Sequence, residues 1–130
     1  MESTFRAELS GADEVPAVAT SGSGEAEFES DGTSLKFELE WEELNAPAVA
    51  AHIHCGVSGA NGPVGVNLLT GPSDAEGKVQ GSITAPNPGN ACGWTDLADV
   101  LDAMASGGAY VNVHSTAHPG GEIRGQVITD

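Results

Sequence analysis

Leu35-Lys36-Phe37-Glu38-Leu39-Glu40-Trp41-Glu42 alternates apolar and charged side chains without a break. Successive side chains of a strand point to opposite faces, so Leu35, Phe37, Leu39 and Trp41 share one face. Lys36, Glu38, Glu40 and Glu42 share the other. An apolar face backed by a charged one marks an antiparallel sheet with one side in water. Outward from this run the pattern repeats. Ser30-Asp31-Gly32-Thr33 reads as a hairpin turn, and before it Glu25, Glu27 and Glu29 alternate with Ala26 and Phe28. Phe5, Ala7 and Leu9 alternate with polar partners, and residues 15–20 read as a second, Pro-marked extended piece. Downstream, residues 49–55, 64–69, 78–84, 109–114 and 122–129 read as strands. One helix is expected, capped by Thr95 or Asp96, with Leu97, Val100, Leu101 and Met104 at helical spacing and Gly107-Gly108 as its stop. With 18 Gly and 7 Pro in 130 residues, turns are frequent and long helices are excluded. The fold class is all-β: a Greek-key β-sandwich with one short helix, a single domain over 1–130.

Charge is the strongest compositional signal. Nineteen Asp and Glu stand against four Lys and Arg, a formal net charge of −15. A nucleic-acid backbone or an anionic lipid surface repels such a chain, so no nucleic acid and no membrane insertion is expected, and cations are the natural counterparts. The chain also repels itself. The Debye length falls from about 8 Å at 0.15 M salt to about 3 Å at 1 M, so salt relieves the repulsion and a halophilic source is expected, with an ordinary acidic secreted domain as the alternative.

Absent motifs narrow the function. No run of 18 apolar residues exists, and Met1-Glu2-Ser3-Thr4 opens no basic and apolar leader, so either the protein stays inside or these residues are a mature domain with a start Met added. The phosphate-binding glycine motifs and the hydrolase nucleophile elbow are missing too. Cys55 and Cys92 are read three ways: a disulfide closing a 37-residue loop, worth roughly 3–4 kcal/mol in the chain-entropy model, two free thiols of a reducing compartment, or Cys55 as a metal ligand.

The four histidines carry the chemistry. His52 and His54 share one face of their strand, while Ala51, Ile53 and Cys55 take the other, which weakens Cys55 as a co-ligand. Tyr110, Asn112 and His114 share a face opposite Val111 and Val113. If the two strands are neighbours, His52, His54 and His114 converge, with His118 in the following loop as a fourth candidate. Neutral imidazole suits Cu, Zn, Ni and Fe, and Cu(II) binds most tightly, so copper is the expected ion and zinc its alternative. In Gly121-Glu122-Ile123-Arg124-Gly125-Gln126, Arg124 is expected to satisfy carboxylates by bidentate pairing, and Glu122 is a lesser candidate for an oxygen ligand. Trp41 and Trp94 read as core and helix-packing residues.

Five segments, in order, are Glu14-Val15-Pro16, Ala51-His52-Ile53-His54-Cys55-Gly56, Asn61-Gly62-Pro63-Val64, Tyr110-Val111-Asn112-Val113-His114-Ser115 and Pro119-Gly120-Gly121-Glu122-Ile123-Arg124-Gly125-Gln126. Together they resemble the CHRD (chordin-type) domain from about Phe5 to Val127. The resemblance implies an immunoglobulin-like or superoxide-dismutase-like sandwich and a secreted or cell-surface setting. It places the family's motif histidines on His52, His54 and His114. It also supports a Cys55–Cys92 disulfide and an oxidising compartment.

Three functions follow as expectations. The first is an extracytoplasmic metal-binding module, for copper sequestration or delivery. The second is a superoxide-dismutase-like redox enzyme on the same ligands, disfavoured because the negative charge repels an anionic substrate. The third is an adhesion or interaction domain with incidental histidines. The charge reading makes a direct prediction. The unfolding midpoint rises between 0.1 M and 2 M salt, and a midpoint that stays still or falls contradicts a halophilic origin.

Overall fold

Leu35–Glu42 forms β3 of the computed structural model, which describes residues 3–130; the start of the opening stretch read above for a leader, residues 1–2, lies outside the described residues. The side chains of Leu35, Phe37, Leu39 and Trp41 are buried, as the alternation requires. Each fully buried side chain of this size contributes about 1.5–3 kcal/mol relative to exposure.

The other strands are β1 (Ser3–Ser10), β2 (Ser23–Ser30), β4 (Ala48–Cys55), β5 (Val64–Thr70), β6 (Gly77–Ile83), β7 (Ala109–Ser115), β8 (Ile123–Gln126) and β9 (Ile128–Thr129), with helix α1 (Leu97–Ser106) before β7. The chain is mostly β with one short helix, as expected. Residues 15–20, read as extended, form no strand; they cross the surface as a loop after a single 3-10 turn at Gly11–Asp13. The last strand is interrupted at Val127, which turns its backbone N–H to Ala109 O. β8 therefore pairs with β7, and β9 pairs with β1.

Hydrogen bonding runs through one antiparallel sheet in the order β5-β4-β7-β8-β1-β2-β3-β6. The sheet wraps until its outer strands, β5 and β6, come near each other, which leaves it nearly closed. The interior is the apolar face: Phe5, Leu9, Phe28, Ile53, Val66, Val111, Val113 and Ile123 join the β3 stripe. Asp96 caps α1 by accepting from Asp99 N, and Gly107 ends it at φ 82°, a left-handed conformation that glycine takes without strain. Leu97, Val100 and Met104 of α1 face the core. Trp41 is buried, and its indole N–H donates to Asp74 O, whereas the Trp94 ring lies against Gly65, where a side chain would collide with it.

The outer face differs along the sheet. Over β1, β2 and β3 it is wet and acidic, with Glu25 paired to Glu40 and to Glu8, and Glu27 to Glu38. Loss of hydration and the like charges of Glu27, Glu8 and Glu40 push the Glu25 carboxyl up. Lys78 lies between Glu38 and Glu40 at 3.1 and 3.6 Å. Over β4, β7 and β8 the outer face is covered: every residue of β7 is buried. Three loops cover it, residues 11–22, 56–63 and 116–122. Cys55 and Cys92 form a disulfide that ties the end of β4 to the segment before α1. No helix among the described residues is long and apolar enough to cross a membrane.

Candidate metal site

β4 and β7 are neighbours, and their register puts Ala50 opposite His114, His52 opposite Asn112 and His54 opposite Tyr110. Residues two apart on a strand share a face, so His52, His54, Asn112, His114 and Tyr110 all project toward the covering loops rather than the apolar core. The His52 and His114 rings lie 4.9 Å apart by centroid, and His54 lies 5.5 Å from His52 and 6.1 Å from His114. One nitrogen from each imidazole falls within 4.8 Å of the other two.

Hydrogen bonds set the tautomers. His114 Nδ1 meets Pro119 O at 2.9 Å, so its proton sits on Nδ1 and Nε2 presents a lone pair. That Nε2 faces His52 Nδ1 at 3.0 Å. Without an ion, His52 donates Nδ1–H across this gap. The gap is also the spacing of adjacent nitrogens on one ion bonded at about 2.0 Å to each. Histidines that hold metals commonly give their second N–H to a backbone carbonyl, and His114 on Pro119 O has that arrangement. His54 Nδ1 likewise meets Gly62 O at 2.9 Å. The donor set of three imidazoles, two of them braced by carbonyls, therefore fits a late first-row ion such as Cu(II) or Zn(II).

His54 differs in one respect. Its Nε2 also lies 2.9 Å from an oxygen, Oδ1 of Asn112. A neutral ring has one N–H and cannot satisfy two oxygens.

Burial keeps the rings neutral. His54 is 7 % and His114 9 % exposed. Desolvation, then the neighbouring charges of His114 and His54, push His52 down to about 4. Desolvation also lowers His54, partly offset by its bonds to Gly62 and Asn112, and lowers His114 against its bond to Pro119. Protons therefore compete for the site at lower pH than the ordinary imidazole value implies.

The remaining candidates fall elsewhere. His118 is not drawn into the imidazole group: its turn, in which His118 N donates to Ser115 O, brings Nε2 to accept from Asn45 Nδ2 at 2.9 Å. Cys55 is in the disulfide and cannot ligate. The Glu122 side chain lies apart from the ring cluster. It is fully buried and accepts from Thr20 Oγ1, Ser115 Oγ and Asn45 N at 2.6–2.7 Å, pinning two of the loops to β7. Burial alone would raise its carboxyl, but these bonds outweigh it and hold the carboxyl below the usual range.

Arg124 corrects an expectation. Among the described residues it pairs bidentately with no carboxylate; instead it donates to Val57 O, Ala60 O and Asn61 Oδ1. Its guanidinium lies 3.5 Å over the Tyr110 ring, whose other face stacks on His54 at 4.7 Å. The physical reason is the 56–61 loop, which turns its carbonyls inward and needs donors that no other basic residue can supply at that depth. Tyr110 Oη accepts from Gly62 N and so fixes the carbonyl that orients His54. Gly62 has no alternative there: a Cβ would overlap Cys55 O.

Reasoning from sequence alone missed Glu14. It is 7 % exposed, and its Oε2 is buried with no hydrogen-bond partner among the described residues. Desolvation pushes its carboxyl up to about 7 against the lowering pull of Arg124. The only signal was its place in the Glu14-Val15-Pro16 segment, and that spacing says nothing of depth.

A nearly closed antiparallel sheet with three imidazoles under its covering loops defines a class of β domain with a candidate metal centre. The CHRD domain model matches residues 5–127, and the chain belongs to that family. No curated protein and no solved structure matches it. A CHRD domain with a disulfide fits an extracellular domain.

The pH sign follows from the lowered imidazoles. The unfolded chain protonates His52 near 6.5 and the folded one only near 4, so its contribution is intact above 6.5 and is lost as pH falls toward 4. Metal-free wild type should lose more thermal stability between pH 7.5 and 5.0 than His52→Gln does, measured at one high ionic strength. Equal losses in the two proteins contradict a buried neutral His52.

Proposed function

We propose that this protein is an extracytoplasmic copper-binding module that sequesters or delivers the ion rather than catalysing a reaction. The observation that carries the reading is the 3.0 Å contact of His52 Nδ1 with His114 Nε2, with His54 as third imidazole inside the same 4.8 Å group. Three neutral nitrogens favour Cu(II) by the usual order of stability, with zinc next, and exclude hard oxygen-seeking ions. The net charge of −15 attracts cations to the surface and repels superoxide, which supports cargo binding over a dismutase-like enzyme.

The same reading extends to setting and fold. The disulfide supports a secreted or cell-surface location, and the acidic β1–β2–β3 face supports a high-salt habitat. The non-sequential neighbours β4-β7 and β8-β1 support a Greek-key path related to the superoxide-dismutase-like sandwich. An interaction domain with incidental histidines would need no carbonyl-braced rings.

Calorimetric titration with Cu(II) and with Zn(II) tests the reading. One Cu(II) binds per chain, and His52→Ala weakens it by about 100-fold or more, since even an outer partner of a ligand costs 10–100-fold. Tighter binding of zinc than copper makes zinc the cargo. No binding at micromolar metal, or His52→Ala binding as wild type does, contradicts the proposal.

A further inference from the structure

The order of stability that favours copper ranks divalent ions against one another. It does not rank the two oxidation states of copper; charge does. Among the described residues the gathered group holds three imidazoles and no carboxylate or thiolate. Other anionic candidates are committed elsewhere. Cys55 is bonded to Cys92, and Glu122 accepts from Thr20, Ser115 and Asn45. An ion among three neutral rings keeps its whole charge, two units as Cu(II) and one as Cu(I). His54 and His114 are buried and His52 is half-buried. Burial penalises an uncompensated charge, and the penalty grows with the square of that charge. Cu(II) also favours a square or tetragonal set of at least four donors, and three gather here.

A second observation points the same way. Arg124 is 1 % exposed, and the acceptors it reaches, Val57 O, Ala60 O and Asn61 Oδ1, are all neutral. Its guanidinium lies 3.5 Å over the Tyr110 ring, and that ring stacks on His54 at 4.7 Å, parallel within 7°. The positive charge is felt at the His54 end of this column, where it adds to the lowering of that imidazole. A fixed cation repels Cu(II) twice as strongly as Cu(I). Glu14 is the carboxylate that feels Arg124, and desolvation pushes it up to about 7, so below that pH the guanidinium stands with little compensation.

We propose that the cargo is cuprous copper: the site of His52, His54 and His114 holds Cu(I) in preference to Cu(II), and the charge of Arg124, carried to His54 through the Tyr110 stack, widens the preference. The inference rests on the metal-binding reading and names the form of the ion.

Two competition titrations on the full chain at pH 6.0 test it. One is anaerobic, with Cu(I) against a chromophoric cuprous chelator; the other sets Cu(II) against a cupric chelator. Cu(I) should bind at least tenfold more tightly than Cu(II), which places the potential of the bound ion above that of the aqueous couple. Arg124→Gln, which keeps an N–H donor for the loop but no charge, should shrink the ratio by about tenfold, the effect of one charge on the order of 10 Å away at an effective dielectric of about 20. Arg124→Lys keeps the charge and should keep the ratio. A merely structural Arg124 would weaken both ions alike and leave the ratio in place, which overturns its part in the proposal. The wild-type ratio needs no variant to fold and decides the oxidation state by itself. Cu(II) held as tightly as Cu(I), or more tightly, overturns the proposal and leaves the copper reading standing. Failure of both ions to bind at micromolar concentration overturns the copper reading and this inference with it.

Discussion

The antiparallel pairing of β4 with β7 is the constraint on which the site depends. Its register sets His114 across from Ala50 and Asn112 across from His52, so one diagonal step separates the rings that meet at 3.0 Å. A one-residue slip of β4 would send His52 and His54 into the apolar interior and bring Ile53 out, away from His114. The hydrophobic face therefore specifies the polar site. Burial of Ala51, Ile53, Val111 and Val113 holds the register, and the histidines on the opposite face follow from it.

Covering that opposite face creates a second, polar interior, and its cost explains the surrounding residues. Backbone carbonyls turned inward need donors, which Arg124 supplies to Val57 and Ala60 and Gln126 to Gly56 and Gly107. The Glu122 carboxylate is acceptable at full burial because three donors reach it. The loops held in this way remove the imidazoles from water and keep them neutral, which is the form that binds metal. Glu14 differs from Glu122: it is a buried carboxylate with one oxygen that has no hydrogen-bond partner among the described residues.

Period-two alternation made the mostly-β content and most strands legible. The 35–42 run, the cap and stop of α1 and the shared face of His52 and His54 needed only local rules. Adjacency of β4 and β7 was not legible, because pairing between distant strands leaves no trace in either one alone. The role of Arg124 was misjudged for a related reason. Acidic composition suggested carboxylate partners, whereas its place under the 56–61 loop surrounds it with carbonyls. His118 lies close to His114 in sequence, yet the turn from Ser115 to Gly121 carries it to Asn45. Depth decides the behaviour of Glu14, and depth arises from loops whose path no periodicity encodes.

The central claim is that one ion is held by the nitrogens of residues 52, 54 and 114. X-ray absorption at the copper edge on protein loaded with one equivalent tests it most directly. The account predicts a first shell of nitrogen at about 2.0 Å with the outer-shell scattering of three imidazole rings. A shell of carboxylate oxygen without imidazole scattering, as binding to the acidic outer face would give, contradicts it.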